Sequence, residues 1–223
     1  IFAVKNAIGK GKEISNLFTK PILIIKSTVL PDTILKLYSI YPKVVYNPEF
    51  LREKTADEDF LKTKNVIFGG PNHLLDKVEN LYSNHTNCKI KHVYKTDLIS
   101  ASLMKYAINT FLATKVLFFN QFHDIFDTFD TDIKWDDFIS MVSSDVRIGK
   151  SHMSVPGTDG KLGFGGACFP KDTLALLNLS KTINKEFSLL KEVIIANNLI
   201  RNRYETIDDR EKEQGINYRI DIK

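Results

Sequence analysis

The sequence predicts an α/β chain in which a parallel sheet comes first and a mostly helical region with one long helix follows. Short apolar runs alternate with helical patterns up to about residue 95, which is typical of parallel strands joined by helices. Residues 96–129 contain no Gly or Pro, and their apolar residues recur at helical spacing. We therefore expect one long helix there, and we place a domain boundary near residue 95.

Four short strands and six shorter helices account for most of the remaining chain. Residues 21–25 form a continuous apolar run, as expected for a strand that is buried on both faces. Further strands are predicted over residues 44–46, 66–68 and 90–94. Shorter helices are predicted over residues 1–15, 32–41, 72–82, 134–143, 171–182 and 187–203.

The segments that flank the helices carry their own signals. Thr96 or Asp97 is expected to cap the long helix, because either side chain can accept a hydrogen bond from the first turn. A long loop is expected over residues 147–166. From residue 204 on, the chain is charged and poor in large apolar residues, so we expect a loose tail unless something docks it.

Composition narrows the function classes. The 223 residues carry a formal net charge of +4, which suits an anionic substrate such as a diphosphate but is too weak to indicate nucleic-acid binding. The chain has two cysteines and no paired framework, which favours a reducing, cytoplasmic compartment. No apolar run approaches the roughly 18 residues of a membrane helix. Because the sequence begins without methionine, we expect it to be part of something longer.

A glycine-rich loop leads into a helix around Cys168, in the string GFGGACFPKD that ends at Asp172. Its three glycines let the backbone approach a ligand closely. Pro170 suits the first position of a helix, which would place Cys168 just ahead of the helix and Asp172 in its first turn. A helix N-terminus and the nearby Lys171 both favour a nucleophilic thiolate. The alternative is a tight loop capped by a small buried residue.

Two polar motifs follow predicted strands. Ser27 and Thr28 come directly after the first strand, and Glu49 and Glu53 come after the second. Ligands of open α/β sheets bind outside the carboxyl ends of the strands. Carboxylates four residues apart face the same way in a helix. The alternatives are that Thr28 caps a turn and that the two carboxylates are merely solvated.

Lys105 and Asn109 lie one turn apart on the long helix. Their neighbours are mostly apolar, so a cation and an amide there are suited to stabilising a developing oxyanion. The alternative is that Lys105 is an ordinary surface lysine.

Together these motifs resemble the UDP-glucose 6-dehydrogenase family of nucleotide-sugar dehydrogenases, in the family's order from about Ile22 to Asn198. The resemblance implies the C-terminal part of a Rossmann-like NAD-binding domain over residues 1–95. It implies a helical central dimerisation domain over residues 96–205 and a charged tail over residues 206–223. The sequence carries no G-x-G-x-x-G fingerprint after a strand. It also ends before a match to the family's second Rossmann-like domain.

The resemblance also implies a reaction, the NAD-dependent two-step oxidation of a nucleotide sugar's C6 alcohol to a carboxylate. UDP-glucose is the first expectation, with GDP-mannose and UDP-N-acetylmannosamine as alternatives. The implied catalytic residues are Cys168 as nucleophile, Lys105 and Asn109 at the C6 oxygen, Glu53 as acid/base, and Asp172 and Thr28 at the water. Substrate contacts are implied for Glu49, Phe50, Leu51, Lys105, Asn109, Arg147, Phe164 and Gly165. Cofactor contacts are implied for Ser27, Thr28, Glu53 and Lys171.

The resemblance also implies a role for Arg147, which would reach a sugar nucleotide in a neighbouring subunit. This role requires a homodimer, which we expect to form through the long helix.

Two features depart from the family pattern. Lys54 stands where the family usually has Gly, and the loop over residues 155–162 is longer than in many members. His85, Cys88 and His92 offer only three ligands where structural zinc has four, so no metal is predicted. The rival hypothesis is a non-catalytic, truncated member that acts as a dimerisation module.

Overall fold

A computed structural model of the chain describes residues 21–51, 55–220 and 222. The chain divides into two compact units, the first ending at Lys105 and the second beginning at Tyr106. The division falls within the long helix, later than the boundary that the sequence predicts near residue 95. The helix predicted over residues 1–15 and the site residue Glu53 lie outside the described residues.

The first unit contains a four-stranded sheet in the order β1 (Leu23–Ile25), β2 (Val44–Tyr46), β3 (Asn65–Gly69) and β4 (His92–Thr96). The β1/β2 and β3/β4 pairs are parallel, as predicted. The β2/β3 pair is antiparallel, with Tyr46 opposite Gly69. The sheet is therefore mainly but not wholly parallel.

The connection between β2 and β3 contains the helix α2, which spans Ala56–Leu61.

Both faces of the sheet are covered by helices. Alternate residues of a strand point to opposite faces. On one face, Val44 and Tyr46 pack with residues of α1 (Pro31–Ile40). On the other face, Val45 packs with residues of α3 (Asn72–His85). This two-sided burial is why the strands are continuous apolar runs rather than alternating ones.

The long helix α4 spans Leu98–Phe126. Its cap is Asp97, whose carboxylate accepts hydrogen bonds from the Ser100 backbone N–H (2.9 Å) and hydroxyl (2.6 Å). These bonds lower the pKa of Asp97, with the Ser100 side chain as the larger cause. Thr96, the other expected cap, is the last residue of β4.

In the residues that the structure describes, the second unit contains the remainder of α4 and four further helices. They are α5 (Trp135–Val142), α6 (Cys168–Thr182), α7 (Ser188–Arg201) and α8 (Asp209–Glu213). One apolar cluster joins α4, the glycine-rich loop and α7 through Leu117, Phe164 and Val193. Phe164 thereby anchors the loop in the core. Among the described residues, no helix combines the length and apolar character needed to cross a membrane.

One expectation about the second unit is corrected. Helix α6 begins at Cys168 rather than at residue 171, so Pro170 is its third residue. The first turn tolerates proline there because its N–H groups have no acceptor within the helix.

The chain after residue 204 was expected to be loose unless something docks it. It is docked, since Glu211 and Tyr218 are buried.

Candidate active site

Cys168 is the first residue of α6 and is exposed. It follows the glycine-rich loop directly, with only Ala167 between it and Gly166. Both cysteines of the chain, Cys88 and Cys168, carry free thiols. The position of the Cys168 thiol is therefore set by how the loop is held and by where the helix begins.

The loop is held first by two asparagines. The Gly163 N–H donates to Asn120 Oδ1 (2.9 Å), which comes from α4. Asn197 of α7 brackets Phe164: its Oδ1 accepts from the Phe164 N–H (2.7 Å), and its amide donates to the Phe164 carbonyl (3.0 Å). Both asparagines are buried, so each satisfies loop polar groups that water cannot reach.

The glycines at the end of the loop meet a buried ion pair. The Gly166 N–H donates to Glu211 Oε1 (3.0 Å). A Cβ on Gly165 would overlap the Arg201 guanidinium and lie 2.8 Å from Glu211 Oε1. Gly166 itself has φ +73°, a left-handed conformation that favours glycine. The sequence singled out these glycines for the close approach of a ligand, whereas in the structure the side chains of Arg201 and Glu211 approach Gly165.

Asp172 is fully buried one turn after Cys168. Its Oδ2 accepts from the Asn109 amide (2.5 Å), and its Oδ1 accepts from Lys171 Nζ (2.7 Å). Because the helix begins at Cys168, Asp172 is the fifth residue of α6, not part of its first turn as expected. The structure thus brings together Asn109, Lys171 and Asp172, three of the predicted site residues.

Lys105 is buried in the first unit, where it contacts the predicted substrate-binding residues Glu49 and Phe50. Its Nζ donates to the Glu49 backbone carbonyl and lies 4.5 Å from the centroid of the Phe50 ring. A cation over an aromatic face is attracted by the ring quadrupole. Lys105 is therefore not a solvated surface lysine.

A polar network at the carboxyl ends of β1 and β2 was missed by sequence reasoning. Lys26 Nζ donates to Asn47 Oδ1 (3.3 Å) and to the Tyr82 hydroxyl (3.2 Å), and it lies 3.6 Å from the Glu49 carboxylate. The Tyr82 hydroxyl donates to Asn47 Oδ1 (2.5 Å). The available signal was position, because Lys26 and Asn47 directly follow their strands, where ligands of open sheets bind.

The other predicted residues of the first unit follow β1 or β2 in the chain. Ser27 is exposed and Thr28 is half-buried just after β1, and Leu51 is half-buried. Glu49 is exposed. Glu53 and its neighbour Lys54 lie outside the described residues.

Arg147 is exposed and pairs with Asp145 two residues earlier. Its Nε lies 3.0 Å from Asp145 Oδ1 and its Nη2 lies 2.5 Å from Oδ2, which makes the pair bidentate. These bonds lower the pKa of Asp145. A residue that the sequence did not indicate, Lys115, supports the same loop by donating to the Ile148 and Gly149 carbonyls, at 3.0 Å each.

The possible metal motif does not form a ligand cluster. Within the described ranges, no group of three or more His, Cys, Asp or Glu side chains is arranged to hold a metal ion. The Cys88 thiol instead donates to the Phe60 carbonyl (3.2 Å).

Sequence comparison places these residues in a known family. Residues 99–199 match the UDP-glucose/GDP-mannose dehydrogenase family, central domain. The UDP-glucose 6-dehydrogenase of Rickettsia felis is 38% identical over 183 residues, which cover 79% of this chain and 39% of that protein. The chain belongs to the UDP-glucose/GDP-mannose dehydrogenase family.

Further relatives extend the match. The UDP-glucose 6-dehydrogenase of Campylobacter jejuni is 33% identical over 208 residues. The match covers 92% of the present chain and 50% of the Campylobacter protein. Among solved structures, a UDP-glucose dehydrogenase from Pyrobaculum islandicum superimposes with a TM-score of 0.65 at 29% identity, covering 80% of this chain and 41% of that one. This member of the dehydrogenase family thus spans about two fifths of the length of the Rickettsia relative.

Proposed function

We propose that this dehydrogenase-family chain serves the NAD-dependent oxidation of a nucleotide sugar's C6 alcohol to a carboxylate, with UDP-glucose as substrate. The supporting observation is the arrangement at α6. There an exposed thiol begins the helix, and a buried carboxylate one turn later is held by Asn109 and Lys171. An accessible nucleophile beside a fixed carboxylate suits covalent catalysis followed by hydrolysis.

The proposed reaction passes through two covalent intermediates on Cys168. The alcohol first loses a hydride and a proton to become an aldehyde. The Cys168 thiolate adds to the aldehyde carbon, and the oxygen is protonated to give a thiohemiacetal. Loss of a second hydride and proton gives a thioester. Water then attacks the thioester, releasing the carboxylate and restoring the thiol.

The assigned residues have the donors and acceptors that these steps need. Lys105 and Asn109, one turn apart on α4, are assigned to the C6 oxygen. The Lys105 ammonium is a hydrogen-bond donor that is held beside the Glu49 carbonyl, and the Asn109 amide supplies a second donor group. Asp172, with Thr28, is assigned to the hydrolytic water, and Glu53 to acid/base catalysis.

The residues assigned to NAD fit a polar cofactor. Ser27 and Thr28 offer hydroxyl groups at the carboxyl end of β1, where open α/β sheets bind nucleotides. Lys171 offers a half-buried ammonium. The chemistry that bound NAD supplies is hydride acceptance, once for each oxidation, so each sugar consumes two NAD.

We also propose a homodimer through α4. Phe111, Phe118 and Ile125 are spaced seven residues apart on one stripe of α4, and each is more than half exposed. Apolar residues at a heptad spacing are suited to packing against a second helix. The exposed Arg147 would then be free to reach a substrate in the second subunit. The free thiols of Cys88 and Cys168 favour a reducing compartment, which we take to be the cytoplasm.

The test is NADH formation from NAD and UDP-glucose by the protein from its complete reading frame, beside its Cys168→Ser variant. We expect two NADH per sugar in the parent and a loss of at least about 10³-fold in rate in the variant. Absence of NADH formation with UDP-glucose, GDP-mannose and UDP-N-acetylmannosamine would refute the proposed dehydrogenase activity. The hypothesis of a non-catalytic dimerisation module would then remain. Activity with one of the other sugars alone would reassign the substrate.

A further inference from the structure

The chain that follows α7 folds back onto the glycine-rich loop. We call residues 204–220 the clasp. Its short helix α8 begins with a capping box: the Glu211 N–H donates to Asp208 Oδ1 (2.7 Å), and the Asp208 N–H donates to Glu211 Oε2 (2.8 Å). A capping box fixes the side chain of its third helical residue as well as the start of the helix. In the clasp, that third residue is Glu211.

The second oxygen of Glu211 is the centre of a buried polar cluster. Oε1 accepts hydrogen bonds from Gly166 N–H (3.0 Å), Arg201 Nη2 (3.0 Å) and the Tyr218 hydroxyl (2.6 Å). Arg201 also pairs with Asp159 in the long loop, at 2.7 Å. A buried charge is costly unless it is paired and hydrogen-bonded, and here all of these partners are supplied.

The charged form of Glu211 is favoured despite its burial. Burial alone would raise its pKa, but hydrogen bonds from Tyr218, Asp208 and Gly166, with the charge of Arg201, outweigh it and lower the pKa. Burial also raises the pKa of Tyr218, so its hydroxyl remains a donor. The hydrogen bonds of the cluster are therefore charge-assisted, and such bonds are stronger than those between neutral groups.

The cluster reaches the backbone close to the candidate nucleophile. Gly166 is two residues before Cys168, the first residue of α6. A second bond from the clasp acts on the other end of the loop, since the Leu162 N–H donates to the Tyr204 hydroxyl (2.9 Å). Thus the clasp holds both ends of the loop, while Asn120 and Asn197 hold its middle.

We propose that Glu211 is a positioning residue whose carboxylate, carried by the clasp, fixes Gly166 and with it the Cys168 thiol at the start of α6. The consequence for catalysis rests on the proposed function. The positioning of the thiol does not, because it can be measured without substrate.

The test compares the parent with Glu211→Gln in the protein from its complete reading frame. Gln keeps the size of the side chain but loses the charge. Tyr218→Phe, which removes only one hydroxyl, is a milder second variant if Glu211→Gln does not fold. Glu213→Gln is the matched control, because Glu213 is on the same short helix but is exposed and pairs with Arg210 of that helix. Each variant is first checked for an unchanged far-ultraviolet circular dichroism spectrum.

Two readouts report on the loop. Hydrogen exchange of the peptide containing residues 163–168 is expected to rise by about tenfold in Glu211→Gln, as a charge-assisted bond becomes a neutral one. Alkylation of Cys168 by iodoacetamide, followed by peptide mapping, is expected to slow by about two- to fivefold as the first turn loses alignment on the thiolate. Cys88, in the first unit, serves as the internal reference thiol.

Each outcome decides the proposal. Faster exchange and slower Cys168 alkylation in Glu211→Gln, with Cys88 and the Glu213→Gln control unchanged, supports it. Faster exchange with unchanged alkylation shows that the clasp only stabilises the loop, and this overturns the positioning role. Unchanged exchange in both Glu211→Gln and Tyr218→Phe overturns it as well. Failure of the parent to form NADH refutes the proposed function but leaves these two measurements, and the inference they test, unaffected.

If the parent is active, a third readout separates positioning from general destabilisation. We expect kcat of Glu211→Gln to fall by about tenfold while KM for the nucleotide sugar changes by less than about twofold, because a misplaced nucleophile loses transition-state interactions rather than substrate binding. A rise in KM with unchanged kcat would contradict the positioning role.

Discussion

The Cys168 loop and the Arg147 side chain lie in the same unit but are held in opposite ways. The Cys168 loop donates its N–H groups to buried side chains from α4, α7 and the clasp, which are distant in sequence. The Arg147 guanidinium is held by Asp145, two residues away, and its side chain is 86% exposed. Long-range, buried contacts fix one geometry, whereas a local exposed pair leaves the side chain able to find another partner. This difference suits a nucleophile in the first case and an intersubunit contact in the second.

The largest difference between the two loops should appear in how much folding stability each loses as the pH falls. Glu211 has a lowered pKa, so its stabilising contribution is fully present above its ordinary value of 4.5 and is lost as the pH falls below 4.5 toward the pKa of the folded protein. Protonation breaks a buried pair with Arg201, which costs about 3 kcal/mol. Urea unfolding from pH 7 to pH 3 should therefore show a decline in stability that is smaller in Glu211→Gln.

The Arg147 loop provides the control for the acid prediction. The pKa of Asp145 is also lowered, by its hydrogen bonds from Arg147. This pair is solvent-exposed, so solvent and salt screen it. Asp145→Asn should leave the acid decline of the parent unchanged. An equal decline in the parent and Glu211→Gln would show that other carboxylates dominate the acid response.

Glycine substitutions should show the next largest difference. A Cβ at Gly165 meets the Arg201 guanidinium and the Glu211 carboxylate, so Gly165→Ala should destabilise the protein by about 3 kcal/mol through overpacking. At Gly149, beside Arg147, φ is +70° but a Cβ would meet nothing within 4 Å. Gly149→Ala should therefore cost only the backbone strain, about 1 kcal/mol. The midpoints of chemical unfolding measure both, and equal losses would mean that Arg201 moves aside easily.

These differences also mark what the sequence could and could not predict. Strands such as β2 were found at their predicted bounds because short apolar runs between turn signals identify strands that are buried on both faces. The start of α6 was misplaced because Pro170 was assigned the preferred first position, although the third is also free of a helical acceptor. The antiparallel β2/β3 pair depends on the path of a connection, which periodicity does not report.

The sequence singled out residues of the candidate site but not the side chains that support them. Cys168, Asp172, Asn109 and Lys171 were singled out, and the last three are in contact. The clasp was expected to be loose unless something docks it, because it is charged and poor in large apolar residues. The one local signal was an acidic residue followed three positions later by Glu211, a capping-box pattern, which marks a short helix but not its docking partner.

Substitution of Lys115 should speed hydrogen exchange in the Arg147 loop but not in the Cys168 loop. Its ammonium donates to two loop carbonyls, and burial lowers its pKa. Lys115→Met removes these bonds but also the cost of burying the charge, so we expect a loss of only about 1 kcal/mol in stability. Hydrogen exchange of a peptide covering residues 145–150 should rise, while that of residues 163–168 should not. A matching rise in both peptides would show that the two loops are coupled, contrary to the contrast drawn above.

Arg147→Ala should have the smallest effect on stability and the clearest effect on assembly-dependent activity. An exposed ion pair contributes about 0–1 kcal/mol, so the unfolding midpoint should barely move. If Arg147 reaches a substrate in a second subunit, KM for the nucleotide sugar should rise by about tenfold or more, because a charge-assisted bond is lost. Asp145→Asn is the matched control, since it breaks the same local pair while keeping the guanidinium. Equal KM values for Arg147→Ala and the parent would confine Arg147 to its local pair and remove the reason for a shared site.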